Sequence, residues 1–411
     1  MTKGGIDLRA LSNANRNYVL KHIHEAKNIS RTELAKATGL SLSAVSRIIK
    51  QLMEEGYVIE TGEGSSSGGR RPITICLNGE AGYIIGVDFG RFKVHAGVFD
   101  LCGELCFQYE SAVHGKEYLE ALYEAIDNCK ESLRDPSKLL IIYCGVRGFI
   151  DNASGTILYS TTFGWSNIAL RKLLMERYAV TVGMDINARL AALGEWKRLY
   201  DDVNDMVYVT TSWGICAGVI SKRELFRGGW GVAGEIGNTI NFSDDPSGDS
   251  ERCLNLEERC GGQMLIRRAR ELWEQTDNVL LKRLTGNAAE KVAVEDIIAA
   301  AKASDAFAVR IVNEAAETLA RGLVNVVYTY NPSLIVIGGL LAEAGELLLN
   351  QVWAKMKELL PELLWRQLEV ELSILGGRAS LFGAAEAAFQ YLFSSPIEMG
   401  KGRDNIASYG S

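Results

Sequence analysis

The residues best suited to chemistry in this chain fall into three groups. The first is Ser41, Ser43, Ala44, Ser46, Arg47 and Lys50, which share the outer face of a helical segment, Ser43–Leu52. Val45, Ile48, Ile49 and Leu52 recur at helical spacing on its inner face. Short hydroxyls and a guanidinium can read base edges in a major groove, and an ammonium group can meet phosphate, so this face suits double-stranded DNA. The second group is Arg70 and Arg71, which follow a glycine run. Arginines so placed fit a narrow minor groove, although a solvated linker would carry the same charge incidentally. The third is Asp88-Phe89-Gly90, which closes a strand with an Asp-Gly turn of the kind that meets phosphate and magnesium in many ATPases.

The elements that hold the first group are legible. Ser30 and Glu33 have the spacing of a capping box, Leu34 and Ala35 give a first helix its apolar face, and Gly39 ends it. Ser41 or Ser43 can cap the second helix. A supporting helix is expected over Asn15 to Ala26, with Val19, Leu20 and Ile23 inward and residues 1–14 a loose arm. Gly56 stops the second helix, and strands at Tyr57–Glu60 and Ile73–Leu77 flank a tip over 61–72. Helix-turn-helix plus hairpin is a winged helix, spanning 1–79. A helical hairpin that serves only packing is the bland alternative.

A chain of 411 residues is too long for one core, so two or three domains are expected. Its hydrophobic content of 47% and charged content of 23% are those of a globular protein. No apolar run reaches spanning length, so the expected location is cytoplasmic, with no membrane partner. Eight cysteines in no metal or disulfide spacing fit a reducing compartment, and Cys102 with Cys106 is read as part of a buried strand pair. Residues 1–80 carry 11 Lys and Arg against 8 Asp and Glu, whereas the other 331 carry 33 against 43. A basic head on an acidic body permits local phosphate contact and discourages indiscriminate wrapping by DNA.

Beyond Gly79 buried strands alternate with amphipathic helices. Tyr83–Gly90 is followed by an alternating strand to Asp100, a helix at Tyr118–Leu133, and a buried strand at Leu139–Cys144 that runs into Gly145-Val-Arg-Gly148-Phe-Ile-Asp151. Phe163-Gly-Trp165 comes next, then Val182–Trp196, Gly228-Gly-Trp-Gly-Val-Ala-Gly-Glu235-Ile-Gly-Asn238, Asn331–Gly339, and Ser380-Leu-Phe-Gly383-Ala-Ala-Glu. In this order, from about Asn15 to about Phe393, the motifs resemble the ROK family of repressors, open reading frames and sugar kinases. The resemblance implies an α/β fold: the winged helix-turn-helix followed by a two-lobed actin-like ATPase (sugar kinase-like) domain, with a ligand cleft between the lobes. The expected lobes are 80–200, completed by a closing helix at 378–393, and 201–377, with 394–411 a disordered tail.

Against the family's kinase chemistry the chain departs at each catalytic part. The first phosphate loop, Asp-x-Gly-Gly-Thr in the family, is Asp88-Phe89-Gly90-Arg91-Phe92. The second, Gly-Thr-Gly-x-Gly-x-Gly, is Ser212-Trp213-Gly214-Ile215-Cys216-Ala217-Gly218. The general base is an aspartate in the family and Asn187 here, so no catalytic residue is expected; Asp185 lies two residues early. The family's sugar-binding histidine is Asn238, an asparagine is Thr162, and Glu235 is kept. Gly148, Thr162, Asn187, Glu235 and Asn238 are therefore the expected ligand residues. Of the family's zinc run only Cys253 aligns, and Cys260 reads as packing, so neither metal nor cofactor is expected.

The expected function is a DNA-binding transcriptional regulator of carbohydrate-related genes, read as a repressor. Its kinase-like body would sense a small carbohydrate-like effector, and lobe closure would reset the spacing of two heads in a homodimer or higher oligomer. An active ATP-dependent sugar kinase with a DNA-binding head is the alternative, and a ligand-free scaffold is a third reading.

Overall fold

The protein is described by a computed structural model covering residues 8–63, 73–240, 255–275 and 280–394. The head is built from α1 (Leu8–Ala26), β1 (Ile29–Ser30), α2 (Arg31–Thr38), α3 (Leu42–Glu54), β2 (Val58–Glu63) and β3 (Ile73–Leu77). Ser30 Oγ accepts the Glu33 amide at 3.2 Å and the Glu33 carboxylate accepts the Ser30 amide at 2.9 Å, which closes the capping box of α2. Gly39 then turns left-handed at φ +69°, and Ser41 rather than Ser43 caps α3. Val45, Ile48, Ile49 and Leu52 are buried with Val19, Leu20, Ile23 and Leu34, so α1, α2 and α3 share one apolar core. Ser30→Ala removes one half of the reciprocal cap and is expected to cost the head about 1 kcal/mol, read as a lower melting temperature.

Two expectations for the head change. Helix α1 begins at Leu8, so residues 8–14 are helical rather than part of a loose arm. The wing is three-stranded: β1 pairs with β3 at Ile29↔Ile75 and Ser30↔Thr74, in the order β1-β3-β2. Two residues are too short a run to show alternation, so only the long-range pairing reveals this strand. The head is also packed on the body. The His24 ring lies 4.2 Å from that of Phe389 and 5.4 Å from that of Phe393, and Lys27 Nζ donates to the Cys102 carbonyl at 2.8 Å. Arg70 and Arg71, the residues before Leu8 and those after Ser394 lie outside the described residues.

By contact the chain divides into two units, one running to Ile186 and resuming at Ala384, the other from Asn187 to Gly383. The head belongs to the first. The expected lobe boundary at 200/201 is displaced, because the helix α6 (Asn187–Leu199) falls in the second unit, as do residues 378–383. In the first unit β4 (Tyr83–Phe89), β5 (Lys93–Asp100), β6 (Leu105–Ala112), β7 (Leu139–Val146) and β11 (Thr181–Ile186) form a sheet in the order β11-β7-β4-β5-β6. Between β7 and β11 lie β8 (Phe149–Asp151), β9 (Thr156–Ser160) and β10 (Trp165–Ile168), which form a small sheet of their own. The helices α4 (Tyr118–Glu131) and α5 (Leu170–Tyr178) complete this unit.

In the second unit β12 (Met206–Thr211), β13 (Ile215–Ser221), β14 (Glu224–Phe226), β15 (Leu334–Gly338) and β16 (Glu369–Leu372) form a sheet in the order β14-β13-β12-β15-β16. Each sheet is an antiparallel meander of three strands joined to two parallel ones in the same succession. The fold is therefore one topology used twice, the duplication of the actin-like class, and the β4–β5 and β12–β13 turns occupy equivalent places. The central strands β4, β7, β12 and β15 are buried on both faces, as a sheet covered by helices requires, whereas the edge strands β6, β14 and β16 are mostly exposed or half-buried. Cys102 and Cys106 depart from expectation: Cys102 sits in the β5–β6 turn and Cys106 is exposed on β6, so the two are not a buried strand pair.

Candidate functional site

The recognition face is presented as a helix surface. Ser43, Arg47 and Lys50 are exposed on α3, whereas Ala44 and Ser46 are half-buried. The Ser41 hydroxyl is committed to the cap, accepting the Ala44 amide at 3.2 Å and sharing a hydrogen bond with Ser43 Oγ at 3.1 Å. Lys50 reaches Glu54 at 3.9 Å with both side chains largely in water, a pairing too weak to withhold it from phosphate. Arg47 has no ion-pair partner among the described residues. Leu42, missed in the sequence, is 52% exposed at the first position of α3 and offers apolar contact of the kind that reads a thymine methyl.

In the second unit Asn187, 8% exposed, opens α6, whose residues from Asn187 to Trp196 are all buried. The helix is seated on β13 through Gly218, where a Cβ would overlap Ala192 and the Ala188 carbonyl. One of the glycines retained from the second phosphate loop is therefore a packing residue. Two residues into α6 is Arg189, at 1% exposure, whose Nη1 donates to the Gly231 carbonyl at 2.6 Å. That bond ties α6 to the turn leading into Glu235. Glu235 Oε1 takes the Cys216 thiol at 3.7 Å and Oε2 takes the Asn238 amide at 3.1 Å. Arg189, Cys216, Glu235 and Asn238 thus belong to one neighbourhood of this unit, and Asn187 lies two residues before Arg189 on α6.

Glu257, on α7 (Leu256–Cys260), borders the same neighbourhood: its Oε2 accepts the Ile215 amide at 2.9 Å. Sequence reading missed it, since it is one of two consecutive acids in a capping segment. It also missed Arg189, since an arginine in an alanine-rich helix looks solvent-facing. Burial pushes the Glu235 carboxyl above the ordinary carboxylate range, with Glu257 adding to the shift and Cys216, Arg189 and Asn238 opposing it. A carboxyl raised in the folded state binds its proton more tightly there than in the unfolded chain. Stability is then lost as pH climbs from the ordinary carboxylate pKa toward the raised one. Glu235→Gln removes this loss, so the variant's melting temperature relative to wild type is expected to be more favourable at pH 7 than at pH 4.

Gly148 and Thr162, the remaining expected ligand residues, lie in the first unit and near each other. Gly148 has φ +113° and no room for a Cβ against the Tyr159 carbonyl and Ser160, and Ser160 Oγ accepts the Phe163 amide at 3.3 Å. Beside Thr162, Phe163 stacks on Phe89 at 4.3 Å, with Tyr118 at 4.8 Å and Trp165 at 4.9 Å. Phe89, in the first loop motif, is thus committed to an aromatic cluster. The second loop is likewise occupied by protein groups: Ser212 Oγ accepts the Leu340 amide at 3.2 Å, and its carbonyl accepts that of Gly262 at 3.0 Å. Cys260 is buried and bonded to the Leu256 carbonyl, and Cys253 lies outside the described residues. Among the described residues no group of three or more His, Cys, Asp or Glu is placed to hold a metal ion.

The model of the ROK family matches residues 84–390, and that of a winged helix-turn-helix DNA-binding domain matches residues 17–59. The chain belongs to the ROK family. This ROK protein is 32% identical to the xylose repressor of Caldicellulosiruptor bescii over 396 residues, covering 94% of the chain and 98% of the repressor. In fold it is similar to a ROK family transcriptional regulator described as a homologue of E. coli Mlc, with a TM-score of 0.78 at 21% identity over 93% of the chain and 97% of the regulator. A Streptomyces griseus ROK glucokinase, solved with glucose and AMPPNP, matches 75% of the chain and 100% of its own length at 26% identity and a TM-score of 0.66. The regulator likeness includes the head, whereas the kinase likeness leaves a quarter of the chain uncovered.

Proposed function

We propose that this ROK protein is a carbohydrate-responsive transcriptional repressor whose kinase-like body binds a sugar without phosphorylating it. The observation that carries the reading is Asn187. It stands at the buried start of α6, where the family's kinases place a carboxylate, and an amide cannot take a hydroxyl proton. The partner is a double-stranded operator read through Ser43, Arg47 and Lys50, with Arg70 and Arg71 beside it. One short helix reads few bases, so the operator is near-palindromic and the protein binds it as a dimer. Because a repressor 32% identical to it is named for xylose, a pentose is the first effector class to try. The polar set Asn187, Glu235 and Asn238 supplies hydroxyl partners, with Gly148 and Thr162 completing the ligand residues. No helix among the described residues is long and apolar enough to cross a membrane, which agrees with action in the cytoplasm.

A kinase bearing a DNA-binding head is the competing reading, favoured by the likeness to the glucokinase. Thermal shift separates them. D-xylose and related pentoses are expected to raise the melting temperature of the wild type, to do so equally with and without Mg-ATP, and to lose the effect in Glu235→Ala. A shift by Mg-ATP alone, or one that survives in Glu235→Ala, contradicts the proposal.

A further inference from the structure

Gly145-Val146-Arg147-Gly148 runs off the C-terminal end of β7. That strand is parallel to β4 on one side and β11 on the other, with Asp88 and Asp185 each level with Gly145. Ligands of parallel α/β sheets gather at this edge of the strands. Arg147 therefore stands where a small molecule is received, beside a glycine already forced into a positive φ by close backbone approach. Its Nε is buried and bonded to nothing, and no described residue forms a hydrogen bond or ion pair with its guanidinium. The neighbouring carboxylates have partners of their own: Asp185 Oδ1 accepts the Ile186 amide at 2.7 Å, and Asp88 too is engaged.

A buried donor left unmatched is costly, and native proteins rarely leave one without a reason. A guanidinium presents a planar fork of donors that fits a carboxylate or a phosphate, and fits a neutral hydroxyl far less well. At the end of the paired strand β4, Arg91 brings a second guanidinium to the same edge, lying 5.7 Å from the centre of the Phe92 ring.

We infer that Arg147 is an anion subsite and that the effector is a sugar derivative carrying a carboxylate or a phosphate. The inference rests on the sugar-sensing reading and names the chemical class of its ligand. A neutral pentose makes only the hydroxyl contacts, so it binds, but more weakly than its acid or its phosphate ester.

Calorimetric titration of the full-length protein with D-xylose, D-xylonate, D-xylulose 5-phosphate and inorganic phosphate tests this. One of the two anionic sugars is expected to bind at least about tenfold more tightly than xylose, and which one it is assigns the anion. Arg147→Gln is expected to abolish that preference while leaving the affinity for xylose unchanged, and Arg147→Lys to retain part of it. The unchanged xylose titration serves as the check on folding. If xylose binds as tightly as either anion, or if Arg147→Gln keeps the preference, the subsite is wrong and sugar sensing stands. If no sugar binds, neutral or anionic, both the subsite and the sensing role fall.

Discussion

No hexose or pentose is expected to support ATP turnover by this protein, and Asn187→Asp is expected to support none either. On the proposed reading, two independent departures from the family's kinase pattern lie behind this. The first is the base: Asn187 is neutral, and general-base catalysis contributes on the order of 10²–10⁴-fold. The second is the phosphate loops, where positioning and charge stabilisation supply most of the rate of phosphoryl transfer. In the β4–β5 turn Phe89 is stacked into an aromatic cluster and the threonine of the family's loop is an exposed Phe92, which donates nothing. In the β12–β13 turn Ser212 Oγ and the Ile215 amide already serve Leu340 and Glu257, and the latter sets a carboxylate beside a loop meant for anions. Asn187→Asp repairs the base alone. Coupled-assay turnover in the variant only would show that the loops still work, and sugar-dependent turnover in the wild type would overturn the regulator reading.

Arg47→Ala is expected to lower affinity for the operator about 5- to 150-fold, equivalent to about 1–3 kcal/mol, while affinity for random DNA changes little. Arg47 projects from α3 six residues after the Ser41 cap, between one and two turns in, where a guanidinium reaches base edges once the helix lies in the groove. Because Val45, Ile48, Ile49 and Leu52 fix the opposite face in the core, the helix cannot rotate to substitute another side chain. The loss should concentrate at one base position of each half-site. A uniform loss across sequences would make Arg47 a phosphate contact, and no loss would place the recognition face elsewhere.

How much of this was legible follows from the range of the forces involved. The capping box at Ser30 and Glu33, the Gly39 turn and the inner stripe of α3 are local, set by residues three or four apart, and the structure has them where the spacing predicts. The two strands between Tyr83 and Asp100 were equally readable. The start of α1 was not, although within residues 8–14 only Ser12 and Asn13 have weak helical preference. Nor was β1, whose two residues mean nothing without β3.

At the candidate site the legible residues were those inside motifs, such as Glu235 and Asn238. Those brought in by packing were not: Arg189 faces the turn at Gly231 because all sides of α6 are buried, and Tyr118 joins Phe163 from 45 positions away in the chain. The lobe boundary erred for the same reason. Strand β11 and α6 are continuous in sequence, and only tertiary contact assigns the helix to the second unit.

The most direct test of sugar-controlled DNA binding is fluorescence anisotropy on DNA fragments taken from upstream of the transport and catabolic genes that neighbour this one, with and without a pentose or its anionic derivative. The prediction is selective binding of one near-palindromic fragment, at least about 10³-fold tighter than random DNA, weakened by about 5- to 150-fold on addition of the sugar. Binding with no preference over random DNA, or selective binding that no carbohydrate alters, would contradict it.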